Sequence, residues 1–413
     1  MLLRFAATNH RSILEPVELS MIAVDDEREA TRGFDRLAER VLTVAAIYGA
    51  NASGKSNVLD ALGWLSAAVE RSLRQWSDRV PRQPFRFGDG PAHPTTFEVE
   101  MIVGGIRYTY EVEADDASIV AETLYSYPER RRRVLFERDG MSLGFRRGLS
   151  SLSGARELLT PTTLALSAAL RFDDPEVGAF GRALAGLGSL HPGRHHGDGP
   201  TDLAATQLVF LDEEETVRDD LDARGVALGL LGLADLGIDD VEIERFDGGP
   251  PPGYRGRRLK LVHRAGDERL AFDITDESAG TRTWFGLIGP VLNALHTGQV
   301  LLVDELDASL HPKLSAHLIT LFQDPATNPR DAQLIFTTHD TSLLGQLNRD
   351  EVWLTEKGDD GATRLTALAE FGGDRVRRST NLERAYLQGR FGALPQVNES
   401  TLRRAMGLAA GPR

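Results

Sequence analysis

The sequence contains no cysteine. Disulfide bridges, zinc-thiolate sites and thiol nucleophiles are therefore excluded as sources of stability or catalysis. It also lacks any run approaching the roughly 18 apolar residues that a membrane-spanning helix needs. The opening "MLLRFAATNHRS" has no long apolar core of the signal-peptide kind. A cytoplasmic protein with no membrane contact is the expectation. An excess of positive charge is missing as well: the formal net charge is −14, which argues against a uniformly basic nucleic-acid binder. Local arginine runs persist within that acidic whole, at 71–86 and in "PERRRRV" (128–134). Such a run reads first as a solvated basic turn and second as a patch that attracts phosphate. There is no internal repeat and no sustained heptad pattern.

What is present is an ordinary globular composition: 41% hydrophobic over 413 residues, enough for two to three domains or for one domain with insertions. Strand-like runs occur at Leu2 to Ala7, Val17 to Ile22 and Val41 to Tyr48, the last nearly continuous, as in a strand buried on both faces. From about 95 to 140 the pattern alternates, with "GG" at 104 and 105 as a hairpin turn, and predicts an antiparallel meander. Residues 151–235 read as a helical insertion. Within it, the histidines of "HPGRHHGDGPTD" suit a Gly/Pro-flanked loop better than a metal site. "GQVLLVDEL" and "AQLIFTTH" predict buried parallel strands. The expected division is 1–150 as a first lobe, 151–235 as the insertion and 236–413 as a second lobe.

The chemistry begins at "GANASGKS", Gly49 to Ser56, which matches G-x-x-x-x-G-K-[ST] between a buried strand and a helix. Gly49, Asn51, Ala52, Ser53 and Gly54 would wrap backbone N–H groups around phosphate oxygens, and the helix start at Ser56 and Asn57 adds its dipole. Lys55 would reach the outer phosphates of ATP, and Ser56 would ligate Mg²⁺. "VLLVDE" ends a hydrophobic strand on two carboxylates with different tasks. Asp304 would hold Mg²⁺ as the Walker B acid, whereas Glu305 would orient or deprotonate water. His339, closing "LIFTTHD", is placed to sense the outermost phosphate as a neutral imidazole. Thr337 and Thr338 are read as finishing the strand.

Together these residues resemble the ATP-binding-cassette class of P-loop ATPases. The resemblance implies an α/β P-loop NTPase of ABC-ATPase head type, with a mixed sheet, an antiparallel meander and a helical insertion. In "ESAGTR", Ser278, Ala279 and Gly280 stand in the place of the signature turn, Asp307 in that of the D-loop, and His339 in that of the switch histidine. In that class two heads pair head to tail, so Ser278 and Gly280 would close over nucleotide held by a second copy. Arg282 either adds charge to that contact or faces solvent. Within the class, "RFAATNHRS", "ESAGTR" and "DELDASLHP" are more similar to chromosome-maintenance and RecF-type heads than to transporter heads. This makes Asn9, Arg11 and Ser12 secondary nucleotide-site candidates.

"PFRFG", "IRYTYEVE", "ETLYSY", "LFERDG" and "YLQGRFGALP" resemble bacterial stand-alone ATPases linked to abortive infection and overcoming-lysogenization-type defence. This implies a hydrolysing, dimerising switch that controls a separately encoded effector. A RecF- or SMC-like DNA-binding repair head is the alternative, with nucleic acid as partner. The signature differs from that of transporters, Gln83 reads either as the Q-loop residue or as a surface-loop glutamine, and no adenine-stacking aromatic is evident. About 250 residues without heptads separate Lys55 from Asp304, and about seventy follow His339, so neither a coiled-coil arm nor a topoisomerase-primase domain is expected.

Overall fold

The computed structural model describes residues 1–25, 28–190, 201–211, 223–234, 237–245, 257–371 and 382–393. The histidines of 191–196 lie outside them. The chain starts with β1 (Leu2–Thr8), β2 (Val17–Ser20), the short β3 (Thr31–Arg32) and β4 (Val41–Leu42), and β5 (Val44–Gly49). The long helix α1 (Lys55–Gln75) precedes five strands, β6 (Thr95–Val103), β7 (Ile106–Ala114), β8 (Ile119–Tyr127), β9 (Arg133–Asp139) and β10 (Ser142–Phe145). Then come α2 (Ala165–Ala169), α3 (Pro175–Ala185), β11 (Gly188–Leu190), α4 (Thr201–Leu211) and α5 (Ala223–Ala234). A three-stranded antiparallel sheet of β12 (Ile238–Arg245), β13 (Arg257–Ala265) and β14 (Glu268–Asp273) leads into α6 (Ala279–Thr297). The remainder is β15 (Val300–Val303), α7 (Pro312–Gln323), β16 (Gln333–Thr337), β17 (Val352–Lys357), β18 (Thr363–Ala367) and α8 (Leu382–Leu387).

Two sheets carry the architecture. The meander strands join β1 and β2 in a seven-stranded antiparallel sheet, ordered β10-β9-β8-β7-β6-β1-β2. The second sheet runs β11-β15-β16-β5-β17-β18, parallel except for β18. It is the expected mixed α/β arrangement, and the parallel sheet is buried on both faces. Ala45 and Ile47 of β5, Val300 and Leu302 of β15 and Ile335 of β16 face a core shared with α1 and the meander. Their neighbours Val44, Ala46, Tyr48, Leu301, Val303, Leu334 and Phe336 face a second core with α6 and α7. That two-sided burial explains why these strands read as unbroken aliphatic runs rather than as alternation. Each Val, Leu, Ile or Phe among them contributes about 1.5–3 kcal/mol by leaving water.

One expected strand is divided. Val41–Leu42 pairs with Thr31–Arg32, and only Val44–Gly49 enters the parallel sheet. The segment 151–190 is tied to the first sheet by a buried carboxylate. Glu122 accepts from the Ala165 and Leu166 amides at the start of α2 and from the Tyr110 hydroxyl, while Arg138 donates to the carbonyls of Thr160, Pro161 and Thr163. Farther on, α4 docks on α6. The Thr206 hydroxyl donates to the Phe285 carbonyl (2.6 Å) and accepts from the Gly289 amide (2.8 Å). It inserts into the helix one residue before Pro290, where a proline already removes a ladder bond. A Cβ at Gly289 would collide with the Ala205–Thr206 backbone.

Candidate functional site

In a parallel sheet the loops at the carboxyl ends of the strands form the natural ligand crevice. Here the register aligns Ile47 of β5 with Thr337 of β16, and Phe336 with Val303 of β15. The glycine-rich loop, Asp304 and the Thr337–His339 segment therefore emerge side by side.

The loop from Gly49 to Ser56 is held in a conformation that its own residues and β17–β18 dictate. Gly54 has φ 105°, and a side chain there would run into Thr363; Gly49 likewise lies against Thr355. Glycine is the residue that permits both approaches. Ala52 also sits in the left-handed region, at φ 63°. The Ser53 hydroxyl hydrogen-bonds Thr355 at 2.6 Å, and Thr363 donates to the Ser53 carbonyl at 2.9 Å. Asn51 and Ala52 are exposed at the tip, and Ser56 is half-buried in the first turn of α1. Lys55 is 6% exposed, and its ammonium donates to the Gly49 and Ala50 carbonyls at 2.9 and 3.2 Å. The loop is thus wrapped around its own cation. Burial pushes the Lys55 pKa down, while Asp304, Glu305 and Asp307 hold it up.

The Asp304 carboxylate and the backbone of Glu305 are fixed by a residue expected only to end a strand. Thr337 donates its hydroxyl to Asp304 Oδ1 (2.7 Å) and accepts from the Glu305 amide (2.7 Å). Asp304 is 5% exposed, whereas Glu305 projects outward from a left-handed backbone, φ 57°. Consecutive acids are in this way aimed differently. Asp307 accepts from the His339 amide at 3.2 Å. The exposed His339 imidazole has its pKa lowered by burial and by the charge of Lys55, against the opposing pull of Asp307, Glu305 and Asp304. Lys55, Asp304, Glu305, Asp307 and His339 therefore share one electrostatic environment.

The residues fit nucleotide and Mg²⁺ by their donor chemistry. A buried carboxylate at Asp304 and a hydroxyl at Ser56 are hard oxygen donors, and Mg²⁺ takes one or two such protein groups together with substrate phosphates. No cluster of three or more metal-ligating side chains occurs among the described residues.

The 278–282 turn is built otherwise. Ser278 caps α6, its hydroxyl accepting from the Thr281 amide at 3.1 Å, and it is exposed. A Cβ on Gly280 would lie 2.8 Å from the Ser309 carbonyl, so the glycine permits this turn to lie on the loop that follows Asp307. Arg282 is occupied locally, donating to the Thr275 and Glu277 carbonyls at 3.0 and 2.9 Å.

At the N-terminus, Asn9 and Arg11 both adopt positive φ. Asn9 is buried and donates to the Gly90, His93 and Pro94 carbonyls. Arg11 pairs with Asp60 of α1 at 2.6 Å, and its amide donates to the Gln83 carbonyl. Ser12 accepts from Asn57 and shares a hydrogen bond with Thr363. The turn is stitched to the phosphate-loop helix through these contacts. Thr337, Thr355 and Thr363 escaped the sequence reading because threonine in a strand is unremarkable until its partner is known.

Residues 44–345 match the family described as "AAA domain, putative AbiEii toxin, Type IV TA system". No curated protein matches the chain in sequence. A solved structure described as "Crystal structure of the SmcHead bound to the C-winged helix domain of ScpA" is similar over 89% of this chain and 99% of that chain, with 14% identity and a TM-score of 0.47.

Proposed function

The chain belongs to the AAA-domain family of AbiEii type, a family of P-loop ATPases, and from that premise we propose that it is an ATP-hydrolysing switch that dimerises head to tail and controls a separately encoded effector in antiviral defence. The observation that carries this reading is the convergence of Lys55, Asp304, Glu305, Asp307 and His339 at the ends of β5, β15 and β16, with Ser278 left exposed.

In this reading Gly49, Asn51, Ala52, Ser53, Gly54 and Asn57 present the loop and the helix start to phosphates, and Lys55 supplies the neutralising charge. Ser56 and Asp304 hold Mg²⁺, which when bound offsets phosphate charge. Glu305 orients water and takes its proton, a task suited to a carboxylate outside the buried pocket that fixes Asp304. His339, kept neutral near pH 7, hydrogen-bonds without adding charge. Ser278 and Gly280 contact nucleotide held by a second copy, Asp307 connects that face to His339, and Arg11 braces the helix start through Asp60. The lobes 1–150 and 236–413 act as one unit in this reading, because β5 of the first is hydrogen-bonded between β16 and β17 of the second and β11 of the 151–235 insertion pairs with β15. The defence role is supported by the AbiEii toxin in the family description and by the resemblance to abortive-infection ATPases.

Turnover of ATP by the wild type and by Glu305→Gln tests the reading. The variant is expected to bind ATP normally and to lose about 10²–10⁴-fold in rate. Equal rates would mean that another group is the base.

A further inference from the structure

The meander has a second end. Thr8 pairs with Thr96 and Leu2 with Met101, so the β6–β7 turn at Gly104–Gly105 and the β8–β9 turn at 128–132 lie opposite the end where Ser12 meets Asn57 and Thr363. Nine-residue strands separate the two ends by about 30 Å at ~3.3 Å per residue. Between these far turns and residues 34–39 is a cavity of about 180 Å³, lined among others by Arg36, Arg107, Tyr127 and Arg130, with Glu39 at its side. Arg36 donates to the Pro128 carbonyl at 3.2 Å, tying the 34–39 strap to the turn.

The charge here is concentrated and ordered. Arg130 to Arg133 are all exposed, on a turn that Arg130 enters at φ 59°. The Arg132 guanidinium lies 4.9 Å above the Tyr125 ring and Arg107 lies 5.0 Å above Tyr127. Arg107 is paired with Glu100, and Arg133 reaches Glu129 only at 3.9 Å. Arg36, Arg130, Arg131 and Arg132 have no ion-pair partner among the described residues. On a chain of net charge −14, guanidiniums gathered at one edge repel one another; Glu111 near Arg132 and Glu39 beside the cavity offset part of that repulsion, and a polyanion relieves the rest. Stacking on tyrosines holds two of the guanidiniums oriented in advance.

We propose that this edge binds the sugar–phosphate backbone of a nucleic acid, independently of the nucleotide site. Four consecutive exposed arginines match the evenly spaced charges of a phosphodiester chain, and an acidic protein segment is the competing occupant that the test below separates. A phosphodiester chain enters one phosphate at a time, and the exposed arginines of the turn follow its neighbours. The inference goes beyond the switch reading, because nothing in it requires ATP.

Fluorescence anisotropy of the full chain with labelled single-stranded DNA, single-stranded RNA and duplex DNA, between about 50 and 200 mM salt, tests it. Binding is expected at low salt, with a log–log salt slope of about −0.7 to −0.9 per phosphate contacted. The triple variant Arg130→Glu, Arg131→Glu, Arg132→Glu should bind at least about tenfold more weakly with a shallower slope. Arg71→Glu with Arg74→Glu, on exposed positions of α1, should bind as the wild type, and ATP turnover should be unchanged in both. If the triple variant fails a circular-dichroism check of folding, Arg36→Gln with Arg130→Gln asks the same question while sparing the tyrosine stacks. The proposal is overturned if the wild type binds none of the three probes at about 50 mM salt, if both sets of charge changes weaken binding equally, or if polyglutamate displaces the oligonucleotide as well as unlabelled oligonucleotide does.

Discussion

The phosphate loop and the 278–282 turn are two glycine-containing turns that each open a helix, yet they are supported in opposite ways. The loop is closed upon itself: its lysine is buried against its own carbonyls, and two glycines lie against β17 and β18. The signature-like turn exposes its serine and touches the rest of the chain at Gly280, against Ser309, and at Glu277, against His263. A binding surface that is complete within one chain can be buttressed on every side, whereas a surface meant for another molecule must leave its contact atoms uncovered. The intermolecular role proposed for Ser278 rests on this difference.

The largest effects are expected on the buttressed side. Lys55→Ala should abolish measurable ATP binding by equilibrium dialysis, because no other cation lies in the loop to replace it; retained affinity would show that the loop backbone suffices. Thr337→Val should slow turnover by about 10–100-fold, the usual cost of losing a group that orients a metal-site ligand. It leaves the Asp304 carboxylate and the Glu305 amide without their shared partner. Steady-state kinetics decide this, and an unchanged rate would reduce Thr337 to a strand residue.

Weaker effects are expected on the other side. Thr206→Val removes the hydroxyl inserted between Phe285 and Gly289 and should cost about 1–3 kcal/mol in chemical denaturation. If ATP-dependent association weakens with it, α4 supports the signature turn as well as the core. The last effect concerns pH. Buried Glu351 has its pKa raised to about 7, chiefly by burial, with Arg28 opposing. A raised acid stabilises the fold fully below its unfolded pKa, and that contribution fades as pH rises through the folded pKa. Glu351→Gln should therefore flatten the decline in thermal stability between about pH 5 and 8; an unaltered decline would place its cause elsewhere.

How legible each part was in the sequence follows from the same contrast. Gly49–Ser56 and Asp304–Glu305 are contiguous, and their chemistry depends on spacing that a single chain displays. The buried parallel strands announced themselves because burial on both faces forces aliphatic runs. The three-residue β11 did not, since "GSL" carries no pattern and is a strand only through its parallel register with Leu301–Val303. The break at Thr43 was hidden for a similar reason: Val41–Leu42 and Val44–Gly49 form one run in sequence and pair with different partners in space. Arg11 pairs with Asp60, a partner about fifty residues away that no local motif predicts. The arginines at 130–133 form a visible run, but Arg36 and Arg107, which line a cavity with Arg130, come from separate segments.

The central claim is that Ser278 completes a site on another copy of the chain. The direct test is light scattering of Glu305→Gln protein with and without ATP, repeated with Ser278→Arg added. The account predicts monomers without ATP, dimers with ATP, and monomers again in the double variant while its ATP affinity is retained. Dimers that persist with Ser278→Arg would contradict it.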